Sequence, residues 1–338
     1  MNSVERGANA GEKDRLMDYV RLGRTELEVS LVSLGTWSHG GPNKAGTRSV
    51  GWSGYDRNEA KQALVAAFEA GINHWDTADV YGSGRSEELI GEVLRDVSRT
   101  DVVLASKVGW DPGPYEHFYE PAWMRSQLES SLRRLGTDVL DIFYLHHCDF
   151  GPNDCYFDDA LESIRRFRDE GLIRHIGLSD WSAERIMRFI ERVDPDVVQP
   201  YRNLLEDDYA SSGLKNWVET HDLGTAFFSP LKHGLLLGKY EEPTTFPEGD
   251  FRQNVAAFAD AALLKRLREI KDMLAERFSA HSNSVLYGIV GPLTQDASTA
   301  CVLMGQRNER QVLSASSVSI RMSAEDATWV RSLFEAVT

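Results

Sequence analysis

Residues 56–81 read DRNEAKQALVAAFEAGINHWDTADVY and hold one complete helix-to-strand unit. Asp56 is a helix-capping type, and Ala60, Leu64, Ala67 and Phe68 recur at helical spacing as one apolar face. Gly71 supplies the stop. Residues 72–75, Ile-Asn-His-Trp, then form a short candidate strand bounded by apolar Ile72 and Trp75. Polar Asp76 closes it, and Tyr81 follows in the next loop.

The unit repeats. Mostly apolar runs at 31–35, 72–75, 102–106, 141–145, 175–178, 197–199, 226–229 and 300–304 make eight expected strands. Helical patterns separate them. Pro121 stands at a first helical position, Leu128, Leu132 and Leu135 repeat behind it, and Gly136 stops that helix. Asp158 opens another, with Leu161, Ile164 and Phe167 on one face, and Ser182 opens one through Ile186 and Phe189. Strands alternating with such helices imply a parallel sheet. Eight units predict an α/β fold closed as a (β/α)8 TIM barrel.

An open dinucleotide-binding sheet would instead carry a glycine-rich phosphate loop after its first strand. Gly82-Ser-Gly84-Arg-Ser-Glu87 comes nearest, but it lacks the third glycine and follows the second strand. Ahead of the first strand, residues 19–29 roughly alternate around Gly23-Arg-Thr25, which predicts a β-hairpin placed to plug one end of the barrel. Residues 1–16 are expected to be a flexible extension, and 17–338 a single barrel domain.

Composition narrows the function classes. The net charge is −15, the opposite of what a nucleic-acid backbone attracts. No run approaches the ~18 apolar residues of a membrane span. Three sparse cysteines, Cys148, Cys155 and Cys301, argue for a reducing compartment, so a cytoplasmic location is expected. The spacing of His146, His147, Cys148 and Cys155 fits no familiar zinc pattern.

In such a barrel the active face lies where strands end. Asp76 and Tyr81 follow the second expected strand, Lys107 the third and His146 the fourth. Each alone has a structural explanation, as an ion pair or a packed histidine, but together they make a coherent set. A Lys ammonium beside Tyr81 should lower its pKa, and Asp76 can hold that Lys in place. Tyr81 then serves as an acid for a developing alkoxide, while His146 hydrogen-bonds the same oxygen. Trp37, Trp52, Trp110 and Trp181 fall in loops on this face, as do Asp149, Asp154 and Asp158. They suggest a polyhydroxylated, sugar-like carbonyl substrate. The long loop 38–55, with an insertion near 42–50, is a candidate specificity loop.

The chain resembles the aldo-keto reductases. The matching stretches are Gly35-Thr-Trp-Ser38, residues 71–82, Ser86-Glu-Glu-Leu-Ile-Gly91, Ser106-Lys107 and 141–146. Residues 171–180, Val198-Gln-Pro200, Asn203-Leu-Leu205 and 229–240 continue the match, which runs from 19 to 312 in order. The resemblance implies hydride transfer from a nicotinamide, NADPH in preference to NADH, to an aldehyde or ketone. It implies the tetrad Asp76, Tyr81, Lys107 and His146. For the cofactor it implies Thr36 and Trp37 beside ribose and diphosphate, Ser179 and Gln199 on the carboxamide with Asp180 able to accept from it, and Asp76 among the cofactor-binding residues. Phe228 would stack on the nicotinamide, and Ser229, Leu231 and Lys239 would line the diphosphate. Gly305, Arg307 and Gln311 would take the adenosine phosphate.

Three positions depart from the family pattern. Asp180 stands where Asn is common, and Met304-Gly305 replaces Pro-Gly. Ser314 and Ala315 occupy the places of an acid and an Asn that grip adenine. Two other readings predict different residues. A non-catalytic, nicotinamide-binding regulatory subunit would lack the acid or the strand-four His, yet both types are present. A Schiff-base enzyme would need Lys107 desolvated and unpaired.

Overall fold

The computed structural model describes residues 17–45 and 48–337, so the expectation for residues 1–16 lies outside it. Eight parallel strands close a barrel: Val32–Gly35, His74–Asp76, Val103–Val108, Leu140–Leu145, Ile173–Asp180, Val197–Pro200, Gly224–Phe227 and Ala300–Gly305. Each pairs with the next in chain order, and the eighth returns to the first with Val302 opposite Val32. The expected (β/α)8 barrel is the observed fold.

The signals read from sequence fall close to where they were expected, except that Asp158 lies inside the first turn of its helix, Phe157–Asp169, which Tyr156 rather than Asp158 precedes. Asp56 accepts from the backbone N–H of Asn58 and Glu59, capping Arg57–Glu69. Pro121 opens Pro121–Leu135, and Gly136 ends it in the left-handed region at φ 66°. Ser182 caps Ala183–Val193 through the N–H of Arg185. All eight strands differ from the expected bounds, by at most two residues at either end. The second begins at His74, and the seventh ends at Phe227 rather than 229. Phe228 carries the pairing on as a single bridge to Tyr201, and Ser229 then turns the chain at φ 58°.

The barrel interior is packed, not hollow. Tyr144, Ile142, Ala105, Val197, Ala226, Cys301 and Leu303 fill it, and Tyr144 lies so close to Gly177 that a Cβ there would meet its ring at 2.1 Å. The predicted hairpin is present, Tyr19–Arg21 antiparallel to Glu28–Ser30. Its Val20, Leu22, Val29 and Leu31 join the same interior cluster. It meets the barrel where strands start: Gly23 bridges Leu223, and Asn73 bonds the backbone of Ser30 and Glu28.

On the other rim two loops join. The loop after the first strand contains the short ladder Lys44–Ala45 with Arg48–Ser49. It is tied to the loop after the seventh strand by backbone bonds from Asn43 and Gly51 to Gly249 O, at 3.2 and 3.1 Å, and from Phe251 to Gly51 O at 2.8 Å. Asp250, fully buried, fastens the junction by accepting from Ser53 N, Ser53 Oγ and the Arg252 guanidinium. No helix among the described residues is long and apolar enough to cross a membrane.

Candidate active site

Strand ends deliver the four chemical side chains to one point. Lys107 Nζ donates to Asp76 Oδ1 at 2.5 Å, to Thr77 O at 2.7 Å and to Tyr81 Oη at 3.3 Å. Asp76 spends its other oxygen on Gln199 Nε2 at 2.8 Å, so Gln199 braces the tetrad from across the barrel. Lys107 is fully buried behind the other three, which line a cleft of about 740 Å³. The Schiff-base alternative needs an unpaired amine, whereas this one is ion-paired with Asp76.

His146 and His147 part company here. The His146 ring sits 5.9 Å from that of Tyr81 and lines the cleft, with its Nδ1 buried and unpartnered. His147 packs against Trp110 at 5.1 Å and Phe118 at 4.9 Å, outside the cleft lining. Burial, then the charge of Lys107, holds the His146 pKa well below the usual histidine value. It is a neutral imidazole near pH 7, able to donate one hydrogen bond.

The tyrosine pKa corrects the sequence reading. Burial pushes Tyr81 well above the usual phenol value, and Asp76 and Asp79 push it the same way. Lys107 is itself pulled down by burial, against the opposing pull of Asp76. The expected lowering considered the ammonium alone. The carboxylate that fixes that ammonium and the loss of solvent outweigh it.

Thr36 donates to Asp76 O at 2.8 Å, and Trp37 lies nearly parallel to the Tyr81 ring at 6.1 Å. Ser179, Gln199, Phe228, Ser229, Leu231, Lys239, Gly305, Arg307 and Gln311 all line the same cleft. Asp180 does not: its two oxygens accept from Cys148 N and Ser182 N, at 2.8 and 2.9 Å. The four tryptophans also line it. The acids after the fourth strand are used elsewhere. Asp149 accepts from Gly151 N, and Asp154 and Asp158 pair with Arg188 and Arg192. The glycine near-miss is structural too, since a Cβ on Gly82 would strike Gly40 O at 2.2 Å.

The cleft also holds residues that sequence motifs did not mark: Arg252, Phe251, Lys271 and Asn283. Arg252 and Phe251 come from the seventh loop, while Lys271 and Asn283 lie on or before helices that no chemical motif labels. Among the described lining residues Asp76 is the one acid, against the cations Lys239, Arg252, Lys271, Arg307 and Arg310. Arg252 is paired with Asp250 and Arg307 donates to Ser53 O at 3.0 Å, but Lys239, Lys271 and Arg310 meet no carboxylate among the described residues. In a chain of net charge −15, this concentration of cations suits a ligand bearing several phosphates.

The profile of the aldo/keto reductase family matches residues 32–322. This chain belongs to that family. It is 28% identical to the aldo-keto reductase YhdN of Bacillus subtilis, with 94% of each chain covered. A probable voltage-gated potassium channel subunit beta of Oryza sativa is 31% identical over 77% of this chain and 79% of its own. The solved structure of a glycerol dehydrogenase from Gluconobacter oxydans superposes with a TM-score of 0.78 at 27% identity, covering 95% of this chain and 96% of that one. The protein is thus a nicotinamide-dependent oxidoreductase of the aldo/keto reductase family acting on carbonyl compounds.

Proposed function

We propose that this chain reduces an aldehyde or ketone to its alcohol with NADPH, and that Tyr81 gives the proton. The observation that carries this is the hydrogen-bonded run Asp76–Lys107–Tyr81, ending on a phenol in the cleft beside His146. When bound, the nicotinamide supplies the hydride. Tyr81 protonates the oxygen as it gains charge, and Lys107 offsets the phenolate left behind. Asp76 keeps Lys107 in place, and His146 donates to the same oxygen and fixes the carbonyl. Ser179 and Gln199 orient the carboxamide and Phe228 stacks on the ring. Ser229, Leu231 and Lys239 hold the diphosphate beside Thr36 and Trp37. Gly305, Arg307 and Gln311 hold the adenosine phosphate. Asp180, its oxygens used by backbone, shapes the loop beside Ser179.

The cleft cations that meet no described carboxylate favour NADPH, which carries one more phosphate than NADH. Indole walls and the glycerol dehydrogenase likeness favour a small polyhydroxylated carbonyl. The test is NADPH consumption with a panel of sugar-like and plain aliphatic carbonyls. Tyr81→Phe should lower kcat roughly a thousandfold and leave NADPH affinity intact. Because the Tyr81 pKa is raised, the phenol stays protonated through neutral pH. Reduction should hold its rate there, while alcohol oxidation, which needs the phenolate, should climb with pH. A Tyr81→Phe protein that keeps most of its turnover ends the assignment. The rice channel-subunit likeness supports one other reading, a nicotinamide-binding regulatory subunit. It predicts tight NADPH binding with no turnover on any carbonyl or alcohol.

A further inference from the structure

Ser282, Asn283 and Ser284 lead into the helix Ser284–Gln295 and line the cleft beside Gln311 and Ser314. Asn283 Nδ2 donates to Ser317 Oγ at 2.7 Å, and Ser317 Oγ donates to Ser314 O at 2.9 Å. A serine hydroxyl has one proton to give. With that proton spent on Ser314 O, Ser317 can only accept from Asn283, so the amide's NH2 must face Ser317. The carboxamide orientation is therefore fixed by the network. No described protein group donates to Asn283 Oδ1, and the side chain makes no capping bond to its helix. One oriented acceptor is thus left on a residue of the cleft wall.

Ala315 is buried and has no polar side chain, and Ser314, whose hydroxyl donates to Arg310 O at 3.0 Å, keeps only oxygen lone pairs held against its own helix. Val285 and Leu286 give the wall beside Asn283 an apolar surface, suited to the face of a base. An adenine edge presents an exocyclic amine, a donor that a carboxamide oxygen accepts.

We infer that Asn283 reads the adenine base of the cofactor, its Oδ1 accepting from the exocyclic amine, an inference that rests on the NADPH reading above. The acceptor thus comes from the start of a different helix than the one carrying Ser314 and Ala315.

The test compares NADPH with its reduced hypoxanthine analogue, which places a carbonyl where adenine has the amine. Binding is followed by quenching of the cleft tryptophans, so no turnover is needed. The folded protein should bind the hypoxanthine form roughly tenfold more weakly. In Asn283→Ala, with its circular dichroism unchanged, NADPH should weaken about threefold to tenfold and the preference between the two should shrink to within about twofold. The ratio on one protein is internally controlled against partial misfolding. Equal binding of both nucleotides by the unaltered protein, or an unchanged ratio in Asn283→Ala, overturns this inference alone. Failure of NADPH to bind at all overturns the cofactor reading together with it.

Discussion

At the scale of single residues, the ground beneath Tyr81 titrates. Asp79 is buried, donates its backbone N–H to Lys107 O at 3.3 Å and has one carboxyl oxygen without a partner. Burial, then the nearby Glu87, raises its pKa to about 7, against the hydrogen bond from Gln127. An unfolded Asp ionises near 3.8, so the folded state holds its proton more tightly. Stability from this group is full below that value and is lost as pH rises through about 7. Asp79→Asn has no such proton to lose. At alkaline pH it should be the more stable by roughly 1 to 3 kcal/mol, with the higher melting temperature, and the two proteins should converge only as pH falls toward 3.8. Thermal melts across pH check this, and a constant offset would rule it out. The grouping of Asp76, Tyr81, Lys107 and His146 was legible because they sit at or shortly after strand ends. The Tyr81 pKa was not, because sequence names the charged neighbour but not the depth of burial.

At the scale of elements, the strands and helix caps could be read locally, from apolar runs and from Asp56, Pro121, Gly136 and Ser182. The clasp between the first and seventh loops could not. It joins Ser53 to Asp250, which lie 197 positions apart, and no local pattern announces such a pairing. Nor could local reading tell that Asp154 and Asp158 are taken by arginines of the next helix. Burial alone pushes the Asp250 carboxyl up, but the hydrogen bonds from Arg252 and Ser53 more than reverse this, to about 2. The clasp therefore stays ionised and closed over any ordinary pH. Arg252 and Phe251 beside it line the cleft, so the clasp borders the proposed cofactor path. Asp250→Ala removes the acceptor that holds both loops and leaves the Arg252 cation unpaired. Stopped-flow displacement should show NADPH leaving at least about tenfold faster, with the chemical step slowed less. An unchanged release rate would mean that the loops move independently of the cofactor.

At the scale of the whole molecule, the two barrel ends carry separate burdens. The proposed catalytic residues and the cleft stand where strands finish, while the hairpin closes the end where they begin, its side chains continuous with the packed interior. Conserving function on one face and stability on the other is what this architecture permits, and Gly23 offers a direct measure of the division. It sits in the hairpin turn at φ 54°, and a Cβ there would meet Leu223 C at 2.2 Å and Gly224 N at 2.3 Å, both backbone atoms at the start of the seventh strand. Neither can swing aside as a side-chain tip could. A β-branched residue adds strain in the left-handed region to that clash. Gly23→Val should therefore destabilise the protein by about 2 to 4 kcal/mol, read as an earlier denaturant midpoint. Tyr144 and the layer around it lie between the hairpin and Lys107, and a packed layer in fixed rotamers transmits little of a displacement confined to the turn. The folded fraction of Gly23→Val should thus keep its kcat and its NADPH affinity within about twofold. A large loss of kcat in protein shown to be folded would mean that the plug sets the positions of Lys107 and Asp76 through the barrel interior, and that the two ends are mechanically one.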